Sequence, residues 1–125
     1  MTEGALGRVY QDGEVIIRKG DPGECMYVIQ EGEVEVYIEN EGREIQLAQL
    51  GVGESIGEMA IFENEVRSAN VRALGQARLV TVDKKNFLRR VHQDPSLAYR
   101  LVQKLSGRIR EMNEEMARIK SLANQ

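Results

Sequence analysis

Between Val9 and Val82 the chain is a succession of short β-branched or alternating stretches, each closed by a turn signal, and the pattern ends at Asp83. Val15-Ile16-Ile17 follows Asp12-Gly13. Cys25-Met26-Tyr27-Val28-Ile29 follows the dense turn Lys19-Gly20-Asp21-Pro22-Gly23. Cys25, Tyr27 and Ile29 fall on one face of that stretch and Met26 and Val28 on the other, so both faces are predicted to be covered. Gln30-Glu31-Gly32-Glu33 reads as a turn, after which Val34, Val36 and Ile38 alternate with Glu35, Tyr37 and Glu39. That is a strand with one wet face. Asn40-Glu41-Gly42-Arg43 signals a hairpin, with Ile45 and Leu47 on the return, and Leu50 to Ser55 is a glycine-marked corner. Ala69, Val71 and Ala73 alternate again, Gly75-Gln76 reads as a turn, and Ala77 to Val82 as the last strand. Strands that each have one apolar face must bury it against another layer. Seven or eight of them at near-regular spacing predict an antiparallel sandwich, jelly roll or barrel.

From Asp83 onward helix formers replace the alternation. Asp83 is a predicted N-cap for a short helix with Phe87, Leu88 and Val91 on one face. Asp94-Pro95 restarts helix, with Asp94 as cap and Pro95 at the first helical position. His92, just before that junction, reads as a surface or capping residue. In the last helix Ala98, Val102, Leu105, Ile109, Met112, Met116, Ile119 and Ala123 are spaced by four and three in alternation, a heptad seam of nearly four repeats with charged residues on the other faces. Gly107 is its weak point. A long helix with so narrow a seam needs a partner, either the β-rich part or the same helix of a second chain. The expected organisation is a loose lead-in over residues 1–8, a β-roll over 9–82, and C-terminal helices over 83–125 that belong to the same single domain.

Composition excludes several classes. A chain of 125 residues supports one core. With a formal charge of −3 and no Lys/Arg-rich face, nucleic acid is not the default partner. The single cysteine, Cys25, rules out an internal disulfide and an iron–sulfur cluster, and the single histidine, His92, leaves too few ligands for a metal site. The same scarcity leaves no Ser/His/Asp set, so catalysis is not expected and no cofactor is implied. No run of about 18 apolar residues spans a membrane. There is no basic and apolar leader, and a reducing cytoplasm is the expected location.

The chemistry concentrates in residues 56–71, Ile56-Gly57-Glu58-Met59-Ala60-Ile61-Phe62-Glu63-Asn64-Glu65-Val66-Arg67-Ser68-Ala69-Asn70-Val71. Gly57 frees the backbone for close approach. Met59 to Phe62 suit a single helical turn whose amides stay unpaired, and Glu63-Asn64-Glu65 is a polar loop. Arg67 offers a planar fork of donors that matches phosphate oxygens. The small side chains of Ala60, Ser68 and Ala69 let a ligand reach the backbone. Glu58 would repel a phosphate and suits neutral donors such as sugar hydroxyls. A phosphate next to a vicinal hydroxyl is a nucleotide. A structural ion pair between Glu58 and Arg67, with Gly57 a plain turn, reads the same residue types equally well.

The segment resembles the phosphate-binding cassette of the cyclic nucleotide-binding domain family, of the catabolite activator protein and protein kinase A regulatory subunit type. Gly57-Glu58-Met59-Ala60-Ile61 matches its first half and Val66-Arg67-Ser68-Ala69-Asn70-Val71 its second. Ile56 stands where an aromatic is usual and Val66 where proline is common. Gly13-Glu14, Gly20-Asp21, Tyr27-Val28-Ile29 and Gly32-Glu33-Val34 resemble the early turns of the same roll, and the glycines there carry fold. The resemblance covers roughly residues 10 to 120. It implies that Arg67 binds the cyclic phosphate with the amides of Ala60 and Ser68. It also implies that Glu58, with the Gly57 backbone, takes the ribose 2′-hydroxyl, and that Ile56, Val71 and Val36 or Leu47 face the base. The C-terminal helix would close over the base and signal occupancy.

Ser68 and Asn113 bear on base choice. Cyclic GMP-selective members place a threonine where Ser68 stands, but serine also occurs in cyclic AMP binders. Asn113 lies near where bacterial members read adenine, and a solvated helix residue is its other reading. The balance goes to cyclic AMP over cyclic GMP. Bacterial members dimerise along a helix in register with Asp94-Pro95 through Arg118, which implies a homodimer through residues 98–123. Two other readings stay open: a dimerisation module with a vestigial pocket, and an effector domain from a longer transcription regulator or signalling protein. Direct DNA binding would need a helix-turn-helix after the long helix, and the sequence stops at Gln125 without one.

Overall fold

The computed structural model describes residues 7–63 and 66–124, the side chains of Ala60 and Ile61 apart. Residues 1–6 of the expected lead-in, and Asn64 and Glu65 of the expected polar loop, lie outside the described residues, and Arg8, the last residue of that lead-in, already belongs to the first strand. The elements in chain order are β1 (Arg8–Tyr10), β2 (Val15–Ile17), β3 (Cys25–Asn40), β4 (Arg43–Leu50), β5 (Ser55–Ile56), α1 (Met59–Phe62), β6 (Asn70–Asp83), α2 (Lys84–Gln93) and α3 (Ser96–Ala123). This is a six-stranded antiparallel sheet followed by a short and then a long helix, the mainly-β roll with C-terminal helices that the alternation predicts.

Two long strands organise the sheet. β3 pairs along its length with β6, from Cys25 opposite Asp83 to Tyr37 opposite Asn70. Around that pair β4 and β5 join β3, and β1 and β2 join β6. The predicted turns at Gln30–Glu33 and Gly75–Gln76 are not turns, which is why six strands replace seven or eight. Both stretches are bends inside continuous strands. The register slips between Ile29 and Glu31 and again between Glu31 and Glu33. Gly32 sits at this double irregularity with φ +81°, and a β-carbon there would stand 2.3 Å from the Gln76 carbonyl oxygen. Glycine thus permits both the left-handed backbone and the close crossing of β6, and the paired strands bend together.

The bend brings the inner faces together over one apolar cluster that includes Tyr10, Ile17, Ile29, Val34, Leu50, Ile56, Val71, Ala73, Ala77 and Leu79. Ile29, Leu79 and Val34 are its largest fully enclosed side chains, each stabilising by about 1.5–3 kcal/mol relative to exposure. The outer face carries Arg72, which donates to Glu35 and Glu44 across three strands while its guanidinium lies 4.1 Å from the Tyr37 ring centroid.

The chain forms two compact units, one ending at Lys84 and one beginning at Lys85. In the second, Asp94 Oδ1 accepts from the Ser96 amide and hydroxyl, so the predicted cap acts from two positions before the helix start, and Pro95, expected as the first helical residue, is the N-cap instead. These bonds hold the Asp94 carboxyl below its usual range. α3 then runs 28 residues, roughly 42 Å at 1.5 Å per residue. Its seam residues Val102, Ile109, Met112, Met116 and Ile119 are between 54% and 68% exposed. No described helix is long and apolar enough to cross a membrane.

Candidate functional site

β5 is short, but its two residues are fixed by the ladder to β3, with Ile56 opposite Tyr27 and Ser55 opposite Val28. Gly57 follows with φ +77°, a conformation that turns the chain out of the strand. Glu58 is already helical in its backbone, and α1 completes a single turn, closed where the Glu63 amide donates to the Met59 carbonyl at 2.7 Å. Met59 and Phe62 point outward and are exposed.

The return segment is pinned by a turn far away in sequence. Val66 makes an isolated antiparallel bridge with Pro22. Arg67 donates its amide to the Asp21 carbonyl at 2.8 Å and accepts from the Gly20 amide at 2.8 Å. Asn70 Oδ1, at the start of β6, accepts from the Lys19 amide at 2.8 Å. The backbone of Arg67 is therefore held on both sides before its side chain is considered.

That side chain reaches back across the segment. Nη2 donates to the Cys25 carbonyl at 2.7 Å and Nη1 to the Gly57 carbonyl at 3.3 Å. The Tyr27 ring centroid lies 6.0 Å from Cζ. On the other side of Gly57, Glu58 is only 3% exposed, and Ser55 Oγ donates to its Oε1 at 2.6 Å. A buried carboxylate is tolerated only when its oxygens find donors, and Ser55 supplies one. A half-buried cation and a buried hydrogen-bond acceptor thus flank one glycine, and Ser68, the residue after the arginine, is exposed.

The cyclic nucleotide-binding domain family matches residues 7–94. The chain belongs to that family. A protein of Rhodopseudomonas palustris named as a potassium channel is 36% identical over 120 residues, 94% of this chain and 28% of that one. The cyclic AMP receptor protein of Thermus thermophilus is 32% identical over 110 residues, 87% of this chain and 51% of that one. Among solved structures, the catabolite activator protein of Thermus thermophilus superposes with a TM-score of 0.82 at 31% identity, covering 90% of this chain and 54% of that one. The chain thus spans about half, or less, of the length of these relatives.

Within this cyclic nucleotide-binding domain, Gly57, Glu58, Met59, Ala60, Arg67, Ser68 and Ala69 all lie in the segment between β5 and β6. Ile56 and Val71, expected to offer apolar surface, are 3% and 4% exposed and belong to the core cluster, so they brace the segment from beneath. Val36 is half-buried against the same cluster, and Leu47 on β4 is 54% exposed. Asn113 is exposed on α3, in the second unit.

Sequence reasoning missed four contributors: Ser55, the Asp21 and Cys25 carbonyls, and the Tyr27 ring. Ser55 left a trace, a serine three residues before a glutamate at the head of a helical turn. The two carbonyls left none, because any residue type has a carbonyl.

Proposed function

We propose that this chain is the sensor module for a cyclic nucleotide, cyclic AMP in preference to cyclic GMP, and that it signals occupancy through α3. The observation that carries the reading is the division of labour about Gly57. A guanidinium docked on carbonyl oxygens keeps N–H donors for a phosphate, while a buried carboxylate accepts from a neutral hydroxyl. A cyclic nucleotide presents those two groups a few bonds apart. Arg67 with the Ala60 and Ser68 amides takes the phosphate, next to Met59 and Ala69. Glu58 and the Gly57 backbone take the ribose 2′-hydroxyl. Val36 or Leu47 faces the base, with Ile56 and Val71 packed below, and Ser68 and Asn113 tune base choice.

The role is reversible binding rather than catalysis, in a reducing cytoplasm, and the roll with its C-terminal helices works as one domain attached to an effector in a longer protein. Coverage of only 28% to 54% of the relatives supports that arrangement. The exposed apolar seam of α3 supports a homodimer through residues 98–123, and also favours a second reading, a dimerisation module with a vestigial pocket. Isothermal titration with cyclic AMP, cyclic GMP and linear 5′-AMP decides between them. The sensor reading expects saturable binding of a cyclic form, cyclic AMP the tighter, and none of 5′-AMP. Absence of binding means that the cassette is structural, as in the dimerisation module, or that another small anion is the ligand.

A further inference from the structure

We infer that Tyr27 is a positioning residue for Arg67, fixing the plane of the guanidinium and hence the direction in which its remaining N–H donors point. The inference rests on the reading of Arg67 as the phosphate-binding residue, and its geometry is contained in the first unit.

Three contacts define a plane. Two lie at the edge of the guanidinium, the Cys25 carbonyl at 2.7 Å and the Gly57 carbonyl at 3.3 Å. These two set its position but leave it free to tilt about the line joining them. The third is the Tyr27 ring, 6.0 Å from Cζ, which resists that tilt by bulk and by attraction of the cation to the ring. The sheet locks all three together. Cys25 and Tyr27 are two residues apart on β3, and Tyr27 pairs with Ile56, the residue before Gly57. Tyr27 itself packs against the core cluster, so the ring is a fixed platform rather than a mobile side chain. A preoriented donor fork binds an anion without losing rotamer freedom on contact.

The test has two arms. In the first, nitrogen-detected NMR of the chain alone follows the Arg67 guanidinium, identified by the loss of its signals in Arg67→Lys. The wild type and Tyr27→Phe, which keeps the ring, are expected to show two resolved Nη signals, because rotation about the Nε–Cζ bond is blocked. Tyr27→Met, of similar bulk but ringless, is expected to show one averaged signal. Tyr27→Leu replaces it if the methionine variant does not fold. In the second arm, calorimetry with cyclic AMP is expected to show a Kd raised about tenfold in Tyr27→Met, the ratio a partly buried cation–π contact supplies, and largely recovered in Tyr27→Phe. In the Arg67→Lys background the same substitution should add nothing further. Two resolved signals in Tyr27→Met, or a tenfold loss repeated in the Arg67→Lys background, would overturn the inference. A wild type that binds no cyclic nucleotide would defeat the proposed function instead, and the first arm would still judge Tyr27.

Discussion

A β-carbon on Gly57 would stand 2.5 Å from Nη1 of Arg67. Gly57 therefore does two things at once. It supplies the φ of +77° that ends β5, and it leaves the space in which the guanidinium reaches the Gly57 carbonyl.

Gly57→Ala should fail on both counts. The left-handed backbone costs about 1–2 kcal/mol for a residue with a β-carbon. The displaced guanidinium should weaken cyclic nucleotide binding by more than that loss of stability implies. Thermal unfolding and titration on the same sample separate the two effects. A variant that is less stable but binds as tightly as wild type would detach Gly57 from the ligand site.

Arg67→Ala is expected to keep the fold. Its two side-chain bonds to carbonyl oxygens contribute roughly 1 kcal/mol net, since water replaces the lost donors at a half-buried site. Cyclic nucleotide affinity should fall by on the order of 2–5 kcal/mol, the effect of stranding an anionic phosphate. Unchanged affinity by calorimetry would remove Arg67 from the site.

Ser55 donates to the buried Glu58 carboxylate, and that bond should be visible in both stability and selectivity. Ser55→Ala leaves the carboxylate with one donor fewer and should destabilise by about 1–3 kcal/mol in urea unfolding. Glu58→Gln changes the group that meets the ribose. The wild type should prefer cyclic AMP to its 2′-deoxy analogue, and Glu58→Gln should narrow that preference. Equal binding of the two sugars by wild type would place the 2′-hydroxyl elsewhere.

Tyr27 gives the chain an alkaline limit. Burial pushes its phenol from 10 up to about 12, with the neighbouring Cys25 adding to the shift and Arg67 opposing it. A raised folded-state value means that the unfolded chain loses its proton first. The resulting stability is complete below pH 10 and disappears as the pH rises toward about 12. Tyr27→Phe should flatten this arm of the stability curve, read as urea midpoints below pH 10 and near pH 12. An unaltered slope would mean that another group controls the alkaline transition.

The α3 seam predicts assembly. Ile109 and Met116 are exposed apolar residues two turns apart on one stripe. Replacing both with glutamate should convert a dimer into a monomer in sedimentation equilibrium without unfolding the first unit, since the substituted residues lie outside that unit. A wild type that sediments as a monomer at all concentrations would exclude the homodimer.

What the sequence could say followed from patterns that local chemistry enforces. Period-two alternation up to Val82 and a heptad seam from Ala98 to Ala123 are consequences of which face must leave water, so the order of sheet and helices was legible. Gly57, Glu58 and Arg67 stood out as a candidate site because a glycine, a carboxylate and an arginine at that spacing match the two halves of a family motif. The bends at Gly32 and Gly75 were misread as turns for a definite reason. A glycine of positive φ serves a reversing turn and a strand irregularity equally well, and only the continuous pairing of β3 with β6 decides between them. Tertiary structure also decided what holds Arg67. Asp21 and Cys25 act through backbone carbonyls, Cys25 from 42 positions away, and Tyr27 acts because strand register sets it beside Ile56. Backbone groups carry no residue signature and register is a long-range property, so the motif names the arginine but only the folded sheet aims it.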